Sequence, residues 1–258
     1  MSVKDGKADL ATFWDHLDEL RSCIIRAVLF TILLSAIAFC MKDLMFSVVL
    51  APRNSNFITY RLLGVEAFSI HLMNIGLTEQ FMIHIRTAIY FGVLLASPYI
   101  LYLIFRFVSP ALYSNEKRYA LWLITSAYIM FMIGTLLNYF LIFPLTLKFL
   151  GTYQISSDVA NMLTIQSYID TLLMMNMIMG VIFEMPVMCW IMARMGIITD
   201  SYMRKYRRHA IVLILIVAAI ITPTTDAFTL FVVSLPIWLL YEASIFIVKI
   251  AKPKEIKE

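Results

Sequence analysis

The sequence predicts an all-α integral membrane protein with six transmembrane helices and both termini on the cytoplasmic side. Three observations carry this. The chain is 61% hydrophobic with a mean hydropathy of +0.83, more apolar than a soluble domain that must coat itself with polar residues. Its scarce charges cluster between apolar runs of about 20 residues, each long enough to cross a bilayer core roughly 30 Å thick. Of its 21 Lys and Arg residues, only Lys42, Arg53, Arg61, Arg86 and Lys148 fall on the far side of that alternation from the N-terminus, which puts the N- and C-termini inside. The net charge of +4 follows from this topology, and no nucleic-acid signature accompanies it.

The chain is read as a single membrane domain over 1–258, with 1–21 as a cytoplasmic segment and 249–258 as a tail. The first 21 residues are mostly polar and the first apolar run is too long for a cleavable signal. Thr12 to Asp15 has capping-box spacing, which predicts a helix from near Phe13. Asp15, Asp18 and Glu19 then lie on its first turns, just ahead of a span from about Ser22 to Met41. Three carboxylates at a membrane surface either stabilise the helix start or receive something cationic.

Leu44 to Leu77 is too mixed to span, and short amphipathic helices broken at Ala51-Pro52 are expected there. The second span runs from about Glu79 to Phe107, with a tilt or a bend near Ser97-Pro98. Arg86 lies about two turns inside it and can snorkel outwards. A short loop from Ser109 to Arg118 leads to a third span, about Tyr119 to Phe143, stopping at Pro144. Gly151 to Ser167 is an outer loop, about Tyr168 to Met195 the fourth span, and Gly196 to Arg208 a basic loop. The fifth and sixth spans are short: His209 to Ile221 rises only about 20 Å, and Ala227 to Val248 is broken at Pro236. No internal repeat is visible, which weakens an inverted-repeat transporter reading.

Few residues are placed for chemistry. Glu184 is mid-span, where an ionised carboxylate is expensive. It is either a protonated structural acid or a site for a partner helix or a proton, and Asn176, eight residues earlier, shares its helix face. Glu116 shares the inner surface with Glu19, either as part of a solvated ion-pair loop or so that both acids converge on guanidinium groups. Thr222 and Asp226 sit at the tip of the last hairpin, suited to capping. Cys23, Cys40 and Cys189 are widely spaced in apolar segments and form neither a disulfide framework nor a zinc site. No phosphate-cradling loop, H-E-x-x-H or G-x-S-x-G is present, so neither enzyme activity nor a metal or cofactor is expected.

Several motifs in order resemble those of the TatC family, the polytopic receptor subunit of the twin-arginine protein translocase. They are H-L-D-E-L-R (His16 to Arg21), A-P (Ala51-Pro52), F-V-S-P-A-L-Y-S-N-E-K-R (Phe107 to Arg118), F-P-L (Phe143 to Leu145), F-E-M-P-V (Phe183 to Val187), M-G-I-I-T (Met195 to Thr199) and the T-P turn at Thr222-Pro223. The resemblance implies a concave, glove-like arrangement of the helices in the inner membrane. It implies binding of twin-arginine signal peptides by Glu19 and Glu116, with Arg21 and Phe107 beside them. It makes Pro52 a sensitive outer-loop proline and Glu184 the acid linked to small TatA-type single-span partners, with Thr222 and Asn176 as further intramembrane polar groups. Asp226 corresponds to an aspartate in a turn that reads T-P-T-T-D here where T-P-P-D is expected. The implied partners are TatA-type and TatB-type subunits, signal peptides of folded cargo, the bilayer and further copies of the chain, with the proton-motive force as driver. The competing function is a proton-coupled secondary transporter using Glu184.

Overall fold

The computed structural model describes residues 4–64, 68, 70–108, 117–153, 162–222 and 226–251, the side chains of 4–16, 108 and 117–120 excepted. Eleven α-helices account for most of them: α1 (Lys4–Cys40), α2 (Lys42–Val49), α3 (Ile58–Leu62), α4 (Glu79–Val108), α5 (Lys117–Leu137), α6 (Phe143–Thr152), α7 (Ile165–Ile182), α8 (Met185–Arg194), α9 (Asp200–Lys205), α10 (Arg207–Ile221) and α11 (Ala227–Ala251). Helices close their backbone hydrogen bonds within one segment, as a lipid environment requires. Among the described residues, five stretches are long and apolar enough to cross a membrane: Leu17–Cys40, Glu79–Phe107, Leu121–Thr152, Ile165–Arg194 and Ala227–Ala251. The 15 residues of α10 rise only about 22 Å, so the expected short fifth helix is present.

Several expected boundaries are corrected. Helix α1 begins at Lys4, so Thr12 lies inside a helix and not at its start. The third span does not stop at Pro144. A π-helical turn over Asn138–Ile142 continues α5 directly into α6, and Pro144 falls in the first turn of α6. Helix α11 runs unbroken for 25 residues through Pro236, so the sixth helix is not short. The basic loop after α8 contains α9, whose N-cap Thr199 accepts from the Tyr202 amide at 3.3 Å. One feature was not expected at all: the two-residue strands β1 (Leu72–Met73) and β2 (Leu163–Thr164) pair in parallel, Leu72 with Leu163 and Met73 with Thr164.

The chain divides into two compact units, Met1–Met41 with Ala88–Tyr128, and Lys42–Thr87 with Ile129–Glu258. In the first, α1 and α4 touch at Gly92. A Cβ there would lie 2.8 Å from the Ser35 Cα, so the absent side chain is what allows the contact. Phe30 packs its ring on Tyr99 at 4.8 Å. Apart from Ala38, the described side chains of α1 are not buried.

In the second unit, α8 packs along α11, and α9 closes one end through Met203, Ile245, Val248 and Ala251. There the Tyr241 hydroxyl donates to the Met203 carbonyl at 2.8 Å.

Candidate functional site

Pro52 lies in a 3-10 turn, Ala51–Arg53, that follows α2. A proline has no N–H, so the carbonyls of Val48 and Val49 lose the donor that this position would supply in a helical turn. Tyrosine hydroxyls replace it: Tyr139 donates to Val48 at 2.8 Å and Tyr168 to Val49 at 2.9 Å. Pro144 creates the same vacancy at Phe140, four residues earlier, and the Thr59 hydroxyl donates there. The fully buried Tyr60 hydroxyl lies 3.0 Å from the carbonyls of both Pro52 and Pro144, which share its one proton. Burial raises the Tyr60 phenol above its ordinary range, so it remains a donor. The expected sensitive proline is therefore held by side chains from three other segments.

Glu184 occupies a two-residue turn between α7 and α8. Pro186, in the first turn of α8, has no N–H for the Ile182 carbonyl, and α7 ends at Ile182. Both Glu184 carboxylate oxygens are buried and, among the described residues, neither has a hydrogen-bond partner. The turn is pressed against α5 at Gly134, where a Cβ would lie 2.6 Å from the Met179 carbonyl oxygen and 2.8 Å from the Phe183 Cβ. One turn back, Gly180 faces the Phe131 ring, where a Cβ would lie 2.7 Å from the ring edge. Small residues at such crossings let membrane helices approach closely.

The helix that was to carry Asn176 and Glu184 on one face ends between them. The partner of Asn176 is instead Asn138, whose Nδ2 donates to the Asn176 Oδ1 at 2.7 Å. Both side chains are buried, and the Asn138 Oδ1 has no partner among the described residues. Asn138 opens the π-helical turn, a feature frequent at functional sites. It went unremarked in the sequence, although a lone Asn in an apolar span six residues before a proline is a readable signal.

Arg86 does not simply snorkel. Its Nη1 donates to both Asp170 oxygens, at 2.9 and 2.7 Å. Asp170, an acid inside an apolar run, was the overlooked partner. Asp226 caps α11, its Oδ1 accepting from the Thr229 amide at 2.7 Å. Thr222 is buried and donates to the Ala218 carbonyl at 3.0 Å.

In the first unit, Asp18, Glu19 and Arg21 are exposed at the start of the first span. Glu19 has no ion-pair partner among the described residues. Phe107 is half-buried near the end of α4. Glu116 lies outside the described residues.

A family model, "Sec-independent protein translocase protein (TatC)", matches residues 15–236. The chain belongs to the TatC family. It is 35% identical to the TatC protein of Carboxydothermus hydrogenoformans, over 95% of each chain. It is 34% identical to that of Aquifex aeolicus, over 95% of this chain and 98% of the relative. A crystal structure of a twin-arginine translocase receptor TatC is 34% identical and superposes with a TM-score of 0.77, over 92% of this chain and 99% of that one. A crystal structure of a twin-arginine translocase receptor TatC in DDM gives 0.78 at 33% identity, over 91% and 99%. The chain is accordingly a multi-pass inner-membrane component of Tat protein transport. None of these relatives is a solute transporter, and the transporter alternative is left without support.

Proposed function

We propose that this TatC-family chain is the receptor that captures the paired arginines of a signal peptide with Glu19 and Glu116, and that Arg21 and Phe107 border that site. The observation that carries the reading is Glu19 itself: an exposed carboxylate without an ion-pair partner among the described residues, at the mouth of the first span. Guanidinium groups pair with carboxylates in a two-pronged geometry that an ammonium cannot match, so two acids suit two arginines.

Six spans with both ends inside, forming one concave membrane domain over 1–258, would put this mouth on the cytoplasmic surface with the apolar part of the signal along the helices. TatA-type and TatB-type subunits then join through Glu184, with Asn176 and Thr222 as further polar groups, and several copies of the chain assemble. The proton-motive force drives transport of the folded cargo. Pro52 and Asp226 shape the loops on the far side. Glu184 fits its role because an uncompensated buried carboxylate gains most from a partner that brings a donor.

The test is a photo-crosslinking residue placed beside the paired arginines of a signal peptide. Adducts should map to α1 near Glu19 and to the segment from Phe107 to Glu116. Adducts only elsewhere on the chain would exclude this site.

A further inference from the structure

The corner between α9 and α10 carries a patch that signal capture and partner docking leave unused. Met203 is buried and anchors α9, while Tyr202, Lys205, Tyr206 and Arg208 are exposed. Tyr206 packs its ring on Tyr202 at 4.6 Å and on His209 at 5.5 Å. The Lys205 Nζ lies 5.9 Å from the centre of the Tyr206 ring.

The charge around these rings is not balanced. Arg207 is paired with Glu242 at 2.5 Å, and Arg204 lies 4.0 Å from Asp200. Among the described residues, Glu242 and Asp200 are thus each engaged by an arginine. Lys205 and Arg208 have no carboxylate partner among the described residues. Aromatic rings with polar tips favour the level of lipid headgroups, and long basic side chains reach from there to phosphate. An aromatic pair flanked by two unbalanced cations therefore matches an anionic headgroup in both charge and polarity.

We propose that the α9–α10 corner is a docking surface for anionic phospholipid, with Lys205 and Arg208 on the lipid phosphate and Tyr202 and Tyr206 at headgroup level. The full chain, purified from bilayers containing equal amounts of phosphatidylglycerol and phosphatidylcholine, should retain phosphatidylglycerol preferentially when its bound lipids are counted by native mass spectrometry. Lys205→Gln with Arg208→Gln should lower that preference about fivefold per charge removed, the equivalent of about 1 kcal/mol each. Lys205→Arg with Arg208→Lys should keep it. Arg61→Gln, an exposed cation on α3, should leave it unchanged, and unaltered circular dichroism would show that each variant is folded. An undiminished preference in the double Gln variant overturns the assignment. So does an equal loss in Arg61→Gln, which would mean that only overall charge matters. Loss of bound Tat subunits with lipid preference intact overturns it too, and assigns the patch to an acidic protein segment.

Discussion

The Tyr139 hydroxyl donates to the Val48 carbonyl at 2.8 Å, the acceptor that Pro52 leaves without its helical donor. Phe140 repeats the arrangement with Pro144, its carbonyl being served by Thr59. Ser97 does the same within one helix, donating to Leu94 at 2.7 Å ahead of Pro98. A proline can sit in or beside a membrane helix when a neighbouring hydroxyl satisfies the freed carbonyl.

Tyr139→Phe should therefore destabilise the chain in detergent by about 0.5–1 kcal/mol, the net worth of a hydrogen bond to the carbonyl of an exposed residue. Pro52→Ala restores a backbone donor at that position, so the Tyr139→Phe cost should shrink in its background. A double-mutant cycle on denaturant midpoints measures the coupling. Strict additivity would mean that the hydroxyl does not compensate for the proline.

Gly134→Ala should cost more than Gly180→Ala. The first added methyl meets the Met179 backbone carbonyl at 2.6 Å, the second the edge of the Phe131 ring at 2.7 Å. A ring can turn aside, whereas a helix backbone moves only with its whole segment. The expected penalties are about 2–3 and about 1 kcal/mol, within the range for overpacking, read from thermal unfolding in detergent.

Glu184→Leu should leave stability unchanged or raise it by about 1 kcal/mol, because it removes two buried oxygens without partners. The same substitution should abolish co-purification of a TatA-type subunit. Retention of the partner at the wild-type level would reduce Glu184 to a structural acid, and so would a large loss of stability.

Asp170→Asn should destabilise more than the double variant Arg86→Gln/Asp170→Asn, since the single change strands the Arg86 charge. The pair is half-exposed, at 52% and 38% of the two side chains, so the coupling should be about 1 kcal/mol, near the upper end for exposed pairs. A coupling of zero, measured in the same cycle, would make the Arg86–Asp170 contact incidental.

Much of this organisation was legible in the residues because apolar run length is a strong signal. Glu79 to Phe107 was found almost to the residue, and the shortness of α10 follows directly from the count between His209 and Ile221. Prolines misled. Pro186 follows a helix end inside what reads as one span from Tyr168 to Met195, Pro144 enters through a π-helical turn and Pro236 lies inside α11, each in a setting that only tertiary neighbours decide. The pairing of β1 with β2 was invisible because two residues per strand show no alternation. Glu184 stood out as an acid in an apolar run. Its isolation did not, because the break at Ile182 and the turn to Asn138 are properties of the packed helices. The Asn138–Asn176 pair, 38 positions apart, is a long-range contact that spacing along one helix cannot indicate.

Charge matching between two acids and two arginines is tested most directly by substituting Glu19→Gln and Glu116→Gln, singly and together, and measuring crosslinking to an Arg-Arg signal peptide. Each single variant should weaken the crosslink by about tenfold, the loss of one charge-assisted hydrogen bond of roughly 1.5 kcal/mol, and the double variant should remove it. A crosslink of wild-type strength in the double variant would contradict the receptor site.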